Sequence, residues 1–270
     1  MIKAFGFAPD PWQRRYLSNS VSHGAVAVVA SRQVGKSTVA AAFAAWCMLT
    51  YPGFVVLVCS KSLRQAAEFI TKVKQAIYAV ASSDYADASN TLGMILRNGA
   101  RILAVPAQGA DAARGFSPDL FVLDEAAFVP DEVFTALLPS LTATRGATHL
   151  ISSPNGRQGI FFDAVEGRLR DDFVSFRAKS SDIPRIDKDM LALQKRVLGP
   201  LRYEQEHEAQ FTTMIGAFFS ADTTKLIFDG EEVDISDFDR ADYTHMVETQ
   251  MEDLLSGYDT TIRRRASGYA

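Results

Sequence analysis

The chain has 270 residues, 47% of them hydrophobic and 22% charged, which suits one large soluble α/β domain with an appendage and is a tight fit for two full-sized domains. Its formal net charge of −4 is unevenly spread, because residues 213–270 hold 12 acids against 5 bases while residues 1–212 hold 20 against 23. A body so mildly basic gives no electrostatic signature of static nucleic-acid binding, though it leaves room for a transient grip on a backbone.

Residues 5–18, FGFAPDPWQRRYLS, put Pro11-Trp12-Gln13 at the start of a short helix. A glutamine amide offers a donor and an acceptor side by side and can pair with adenine, while Trp12 or Phe7 could cover the base. A helix docked on the core, with Gln13 merely exposed, is the alternative. The opening MIKAFGFAPD lacks the pattern of a secretory signal.

Ala25 to Thr38, AVAVVASRQVGKST, runs from a β-branched strand through a polar loop into a helix, the layout of a phosphate-binding loop. The GxxxxGK(S/T) pattern holds at Gly35, Lys36 and Ser37, with Ala30 in the first glycine position and an uncommon arginine, Arg32, inside the loop. The backbone N–H groups of such a loop, here Ser31, Arg32, Gln33, Val34 and Gly35, curl around an anion. The following helix N-terminus adds partial positive charge. Lys36 would neutralise β and γ oxygens of ATP and Ser37 would give a hydroxyl to Mg²⁺, with Thr38 next in the first helical turn. A chance Gly-Lys-Ser turn after a buried strand is the alternative, and context must decide.

Ser37–Thr50 reads as an Ala-rich buried helix, and Phe54–Ser60 as a strand with almost no alternation, which belongs in a parallel sheet covered on both faces. The uncharged span from Val39 to Ser60 is long enough to suggest a membrane segment, but Tyr51-Pro52-Gly53 breaks it in the middle. Cys47 and Cys59 have no CxxC spacing and read as buried thiols suited to a reducing cytosol. His23, His149, His207 and His245 show no ligand spacing. Leu63–Ala81 has helical periodicity with Ala67, Ile70, Val73, Ile77 and Val80 on one side, and Asn98-Gly99 marks a hairpin within Leu92–Val105.

Gln108–Pro118 is a polar loop that delivers Arg114 ahead of the apolar strand Leu120–Leu123, and that strand ends in Asp124-Glu125. Two carboxylates at the carboxyl end of a central strand lie where open α/β sheets bind ligands. Asp124 would hold Mg²⁺ through water, and Glu125 would polarise the water attacking the γ-phosphate. A helix N-cap with an acidic first turn is the alternative. Ala147–Ser152 is a further strand, ending in Ser152-Ser153-Pro154-Asn155-Gly156. These hydroxyl and amide groups are placed to sense a γ-phosphate, although Pro-Asn-Gly is also an ordinary turn.

Gln13, then SRQVGKS with its internal arginine, FVLDEAAF and SSPNG, in that order and at these intervals, resemble the ATPase domain of the large terminase subunit, the motor that packages DNA into tailed-phage capsids. The resemblance covers about residues 5–219 and includes ARG before the acidic strand, FRAKSSDIP and YEQEHEAQF. It implies a P-loop NTPase of the additional-strand catalytic-glutamate type, with a mostly parallel central sheet flanked by helices on both faces. It also implies that Arg32 acts in cis on the γ-phosphate and that Ser152, Ser153 and Asn155 couple hydrolysis to movement. Arg114 could reach a neighbouring subunit's nucleotide in a ring, or make a local salt bridge or cap contact.

The expected organisation is an ATPase domain over 1–219 and an acidic, partly ordered extension over 220–270. The large terminases usually continue into a nuclease domain, and the acids of this tail have few apolar runs around which one could form, so a nuclease is expected on another domain or subunit. The function expected is a Mg²⁺-dependent ATPase that translocates double-stranded viral DNA into a procapsid, in the cytoplasm of the infected bacterial host. Expected partners are the DNA, the portal and the small terminase subunit, with no membrane. The protein would be a homo-oligomeric ring when assembled and a monomer in isolation. Another DNA-stimulated ATPase, such as a helicase-like translocase, and a nucleotide-dependent binding module are the competing readings.

Overall fold

The computed structural model describes residues 8–81, 85–107 and 116–212. Its elements run α1 (Pro11–Ser20), β1 (Ala25–Ala30), α2 (Lys36–Thr50), β2 (Val55–Ser60), α3 (Leu63–Tyr78), β3 (Ala86–Asn90), β4 (Gly93–Leu96), β5 (Arg101–Pro106) and β6 (Leu120–Asp124). They continue with α4 (Asp131–Thr144), β7 (Ala147–Ser152), α5 (Gly159–Val165), β8 (Val174–Ala178), α6 (Lys188–Leu198) and α7 (Pro200–His207). The strands form one sheet in the order β3-β4-β5-β2-β6-β7-β1-β8. All neighbours from β5 to β8 in that order are parallel, and β3 and β4 are antiparallel additions at one edge.

The apolar strands bury both faces because their side chains alternate between two cores. Val26, Val28, Val56, Val58, Leu120 and Val122 face a cluster that includes Tyr16, Phe43, Met48, Phe69 and Ile70 of α1, α2 and α3. Ala27, Val29, Leu57, Cys59, Phe121 and Leu123 face Phe134, Leu137 and Leu141 of α4 and Phe161 of α5. Small residues let α2 lie flat on the sheet, with Ala40, Ala41, Ala44 and Ala45 all buried. Cys47 and Cys59 are free and buried, and burial pushes both thiols up to about 12.

The Asn98-Gly99 hairpin joins β4 to β5, with Gly99 at φ 81° and Asn98 Oδ1 accepting from the Ala100 N–H at 3.0 Å. In α3 the buried stripe is Ala66, Phe69, Ile70, Val73 and Ile77. Val80 falls beyond the helix and is exposed, and Ala67 is only half-buried, so those two do not belong to the expected core face. The span from Val39 to Ser60 is a helix, a turn and a strand, and among the described residues no helix is long and apolar enough to cross a membrane.

Parallel pairing brings the carboxyl ends of β2, β6, β7, β1 and β8 to one rim. β7 is inserted between β1 and β6, so the loop after β1 and the acids after β6 flank the end of β7.

Candidate active site

The loop between β1 and α2 is shaped by two residues with positive φ, Gln33 at 62° and Gly35 at 87°. Gly35 cannot be replaced without displacement, since a Cβ there would stand 2.8 Å from Gln13 Nε2 and 3.3 Å from an Arg185 nitrogen. Gln13 is buried and its amide is engaged within the protein. Its Nε2 donates to the carbonyls of Val34 (3.4 Å) and Gly35 (3.3 Å), and its Oε1 accepts from the Asp10 N–H at 2.9 Å. Trp12 is buried in the core beside it. Gln13 is therefore not exposed on a core-docked helix; it clips α1 to the loop.

At the first turn of α2, Lys36 is buried and its Nζ lies 3.2 Å from Glu125 Oε1. Ser37 Oγ donates to Asp124 Oδ1 at 3.0 Å, and Thr38 is exposed. Glu125 follows β6 in a left-handed conformation, φ 57°, and opens a 3-10 turn over Ala126–Phe128. A non-glycine residue held there costs on the order of 1–3 kcal/mol and marks a position fixed by its surroundings. Ser152 Oγ donates to Glu125 Oε2 at 3.4 Å from the end of β7, and Asn155 Nδ2 donates to the Ala127 carbonyl at 3.2 Å. Ser153 is buried in the same segment. Lys36, Ser37, Asp124, Glu125 and Ser152 thus converge from three strand ends that are adjacent in the sheet.

Burial, with a smaller contribution from the neighbouring Glu125 charge, raises the Asp124 carboxyl to about 6 against the opposing pull of Lys36 and the Ser37 hydroxyl. One buried carboxylate beside a hydroxyl is a fitting donor set for Mg²⁺, which keeps several waters and binds phosphate oxygens rather than an all-protein cage.

Arg32 stands apart from these groups. Its Nε lies 2.5 Å from Glu206 Oε2 on α7, and its backbone N–H donates to the Glu206 carbonyl at 3.2 Å. Ser31 is buried and its N–H donates to Ala178 O at 2.9 Å. Ser180 Oγ donates to Ser31 Oγ at 3.0 Å and lies 3.1 Å from His207 Nδ1. The loop is therefore fastened to β8 and to α7, contacts that residue types alone did not reveal. FRAKSSDIP and YEQEHEAQF held the signal, since they contain Ser180, Glu206 and His207. A cavity of about 710 Å³ opens beside the loop, lined by Arg32, Gln33, Arg185, Gln194, Arg202 and His207 among others. Arg114 lies outside the described residues, as does the boundary expected at residue 219 with the extension beyond it.

Comparison with known proteins adds relatives to this geometry. The protein-family description that matches, over residues 27–232, is "Terminase large subunit, T4likevirus-type, N-terminal". The large terminase subunit of Escherichia phage T5 is 28% identical over 204 residues, covering 73% of this chain and 46% of that protein. The chain thus spans less than half the length of this curated relative. The ATPase domain of the Thermus phage P74-26 large terminase superposes with a TM-score of 0.67 at 21% identity, covering 78% of this chain and 97% of that one. A large terminase from a thermophilic bacteriophage, solved in complex with ADP, gives 0.64 at 13% identity, over 76% of this chain and 54% of that one. At these identities the superpositions establish the fold, that of a P-loop NTPase.

Proposed function

The chain belongs to the terminase large-subunit family, and from that premise we propose that it is an ATP-hydrolysing motor subunit that translocates double-stranded viral DNA into a procapsid. The observation that carries the reading is the convergence of Lys36 and Ser37, Asp124 and Glu125, and Ser152 from the ends of β1, β6 and β7. The triphosphate lies along Gln33–Lys36, since the N–H groups of Ser31 and Arg32 are spent on the Ala178 and Glu206 carbonyls, with Lys36 on the β and γ oxygens. Ser37 and Asp124 hold Mg²⁺, which when bound neutralises charge on the phosphate oxygens.

Glu125 orients a water in line with the γ-phosphorus and accepts its proton as the bond to the ADP oxygen breaks. Arg32 reaches the γ-phosphate from within the loop, and Ser152, Ser153 and Asn155 carry the change at Glu125 to the rest of the rim. Arg114 acts on a neighbouring subunit's nucleotide in a homo-oligomeric ring. Subunits added as Lys36→Ala should then restore some turnover to an Arg114→Ala preparation, and no rescue at any ratio counts against it.

The ring docks on a portal in the host cytoplasm and works with a small terminase subunit and a nuclease domain or subunit. The test is ATP turnover with and without duplex DNA, for the parent and Glu125→Gln. Turnover stimulated by duplex, without strand separation and abolished by the substitution, is expected. Strand separation would favour a helicase-like translocase, and absence of turnover a nucleotide-dependent binding module.

A further inference from the structure

Two exposed cations flank Glu125 on the rim and take no part in the site described above. Lys61 directly follows β2, whose last residue, Ser60, is the register partner of Asp124, so it emerges beside Glu125 on one side. Arg157 lies on the other side, in the loop that follows β7 and contains Asn155. Each is seated over an aromatic ring. Lys61 Nζ is 5.4 Å from the Phe128 centroid, and the Arg157 guanidinium carbon is 5.9 Å from that of Phe162. Phe128 closes the turn that Glu125 opens, and α5, which carries Phe162, packs on that turn.

An aromatic face holds a cation through its quadrupole and leaves the N–H donors unspent. Among the described residues neither Lys61 nor Arg157 is paired with a carboxylate. A planar guanidinium matches phosphate oxygens with two parallel hydrogen bonds, and an ammonium meets them as a point charge. The body has a small excess of bases, 23 against 20 acids over residues 1–212, so any grip on a phosphate backbone must rest on a few local contacts of this kind.

We propose that Lys61 and Arg157 contact the backbone phosphates of duplex DNA, with Phe128 and Phe162 as their seats, so that DNA bears on the turn carrying Glu125. This rests on the reading of the chain as a DNA motor. A phosphate drawn to Lys61 or Arg157 loads Phe128 or α5, and both adjoin the turn that sets the left-handed conformation of Glu125.

The experiment is fluorescence anisotropy of the 270-residue chain with a labelled duplex across a potassium chloride series, for the parent, Lys61→Ala, Arg157→Ala, the double variant and Lys61→Arg. Each alanine substitution should reduce the slope of log K against log salt by about 1, and the pair by about 2, with Lys61→Arg keeping the parent slope. DNA stimulation of turnover should fall in the double variant. Unchanged slopes overturn the proposal, as does a parent that binds no duplex. Loss of ATP binding in the variants without DNA also overturns it, by making these residues nucleotide ligands. A parent whose turnover ignores DNA defeats the motor reading separately, while the slopes still decide the contacts.

Discussion

Lys36 Nζ and Glu125 Oε1 are 3.2 Å apart although they stand at the ends of β1 and β6, with β7 between those strands. One ammonium cannot serve Glu125 and the β and γ oxygens of a triphosphate at full strength, so on the proposed function nucleotide draws Lys36 away and frees Glu125 as base. Glu125→Gln should lower turnover by about 10²- to 10⁴-fold while ATP binds at least as tightly, because Lys36 loses its charged competitor. Lys36→Ala should lose affinity as well as turnover. Steady-state hydrolysis and titration with a fluorescent nucleotide separate the two, and parallel losses in both variants would sink the exchange.

Asp124 and His149 should oppose each other in acid. The Asp124 carboxyl is raised from 3.8 to about 6, chiefly by burial, so its contribution to stability is full below about pH 4 and is lost as pH rises through 6. His149 is fully buried, 2.7 Å from the Tyr16 hydroxyl and stacked on Phe43, and burial lowers it from 6.5 to about 3. Its contribution is present above pH 6.5 and is lost as pH falls toward 3. Each slope approaches about 1.4 kcal/mol per pH unit between the two limits. Relative to the parent, Asp124→Asn should gain stability from pH 4 to pH 7, by about 2–3 kcal/mol in total. His149→Gln should be relatively more stable at pH 4 than at pH 7. Urea unfolding at pH 4, 5, 6 and 7 reads both differences, and a pH-independent difference for either would contradict the assignment.

The parts of the site that were legible in the sequence are those whose chemistry is local. A buried strand that ends in SRQVGKS, LDEA or SSPN announces its rim position, because strand apolarity fixes burial and the polar break fixes the end. The contacts around Arg32 and Gln13 were not legible, since both depend on what folds back from 174–207 and on the depth at which α1 docks. β3 was missed for a different reason: ADASN is an exposed edge strand with neither alternation nor β-branched residues, and its pairing with β4 supplies the order. The helix α4, DEVFTALLPSLTAT, lies in a stretch from which no element was expected, and it continues through Pro139.

Arg32 and Glu206 form the second ion pair at the loop, and its energetic role should be small. The Arg32 side chain is 63% exposed, so solvent screens the pair, and Glu206→Ala should change stability by less than about 1 kcal/mol. If Arg32 serves the γ-phosphate, Arg32→Ala should lower turnover by about 10³-fold or more, far beyond the effect of removing its carboxylate partner. Thermal unfolding and turnover of both variants check this. A loss of turnover in Glu206→Ala as deep as in Arg32→Ala would mean that the pair acts as a unit.

Gln13 offers the sharpest contrast between a base-reading and a loop-holding residue. Its Nε2 is spent on the Val34 and Gly35 carbonyls and its Oε1 on the Asp10 N–H, so its substitution should act through the shape of the loop. Removing hydrogen bonds of this kind costs about 1–2 kcal/mol, so Gln13→Ala should weaken ATP and GTP by a similar factor of about 10 and leave their ratio unchanged. A residue that paired with adenine would instead lose ATP affinity and spare GTP. Gly35→Ala should be worse than Gln13→Ala, because it combines a side chain at φ 87° with a Cβ 2.8 Å from Gln13 Nε2. Placing Ala at both positions should recover part of that loss, since the truncated residue 13 no longer meets the new Cβ while the unfavourable φ remains. Competition titrations with both nucleotides on the three variants decide between the roles, and a shift in the ATP to GTP ratio for Gln13→Ala would return the residue to the base.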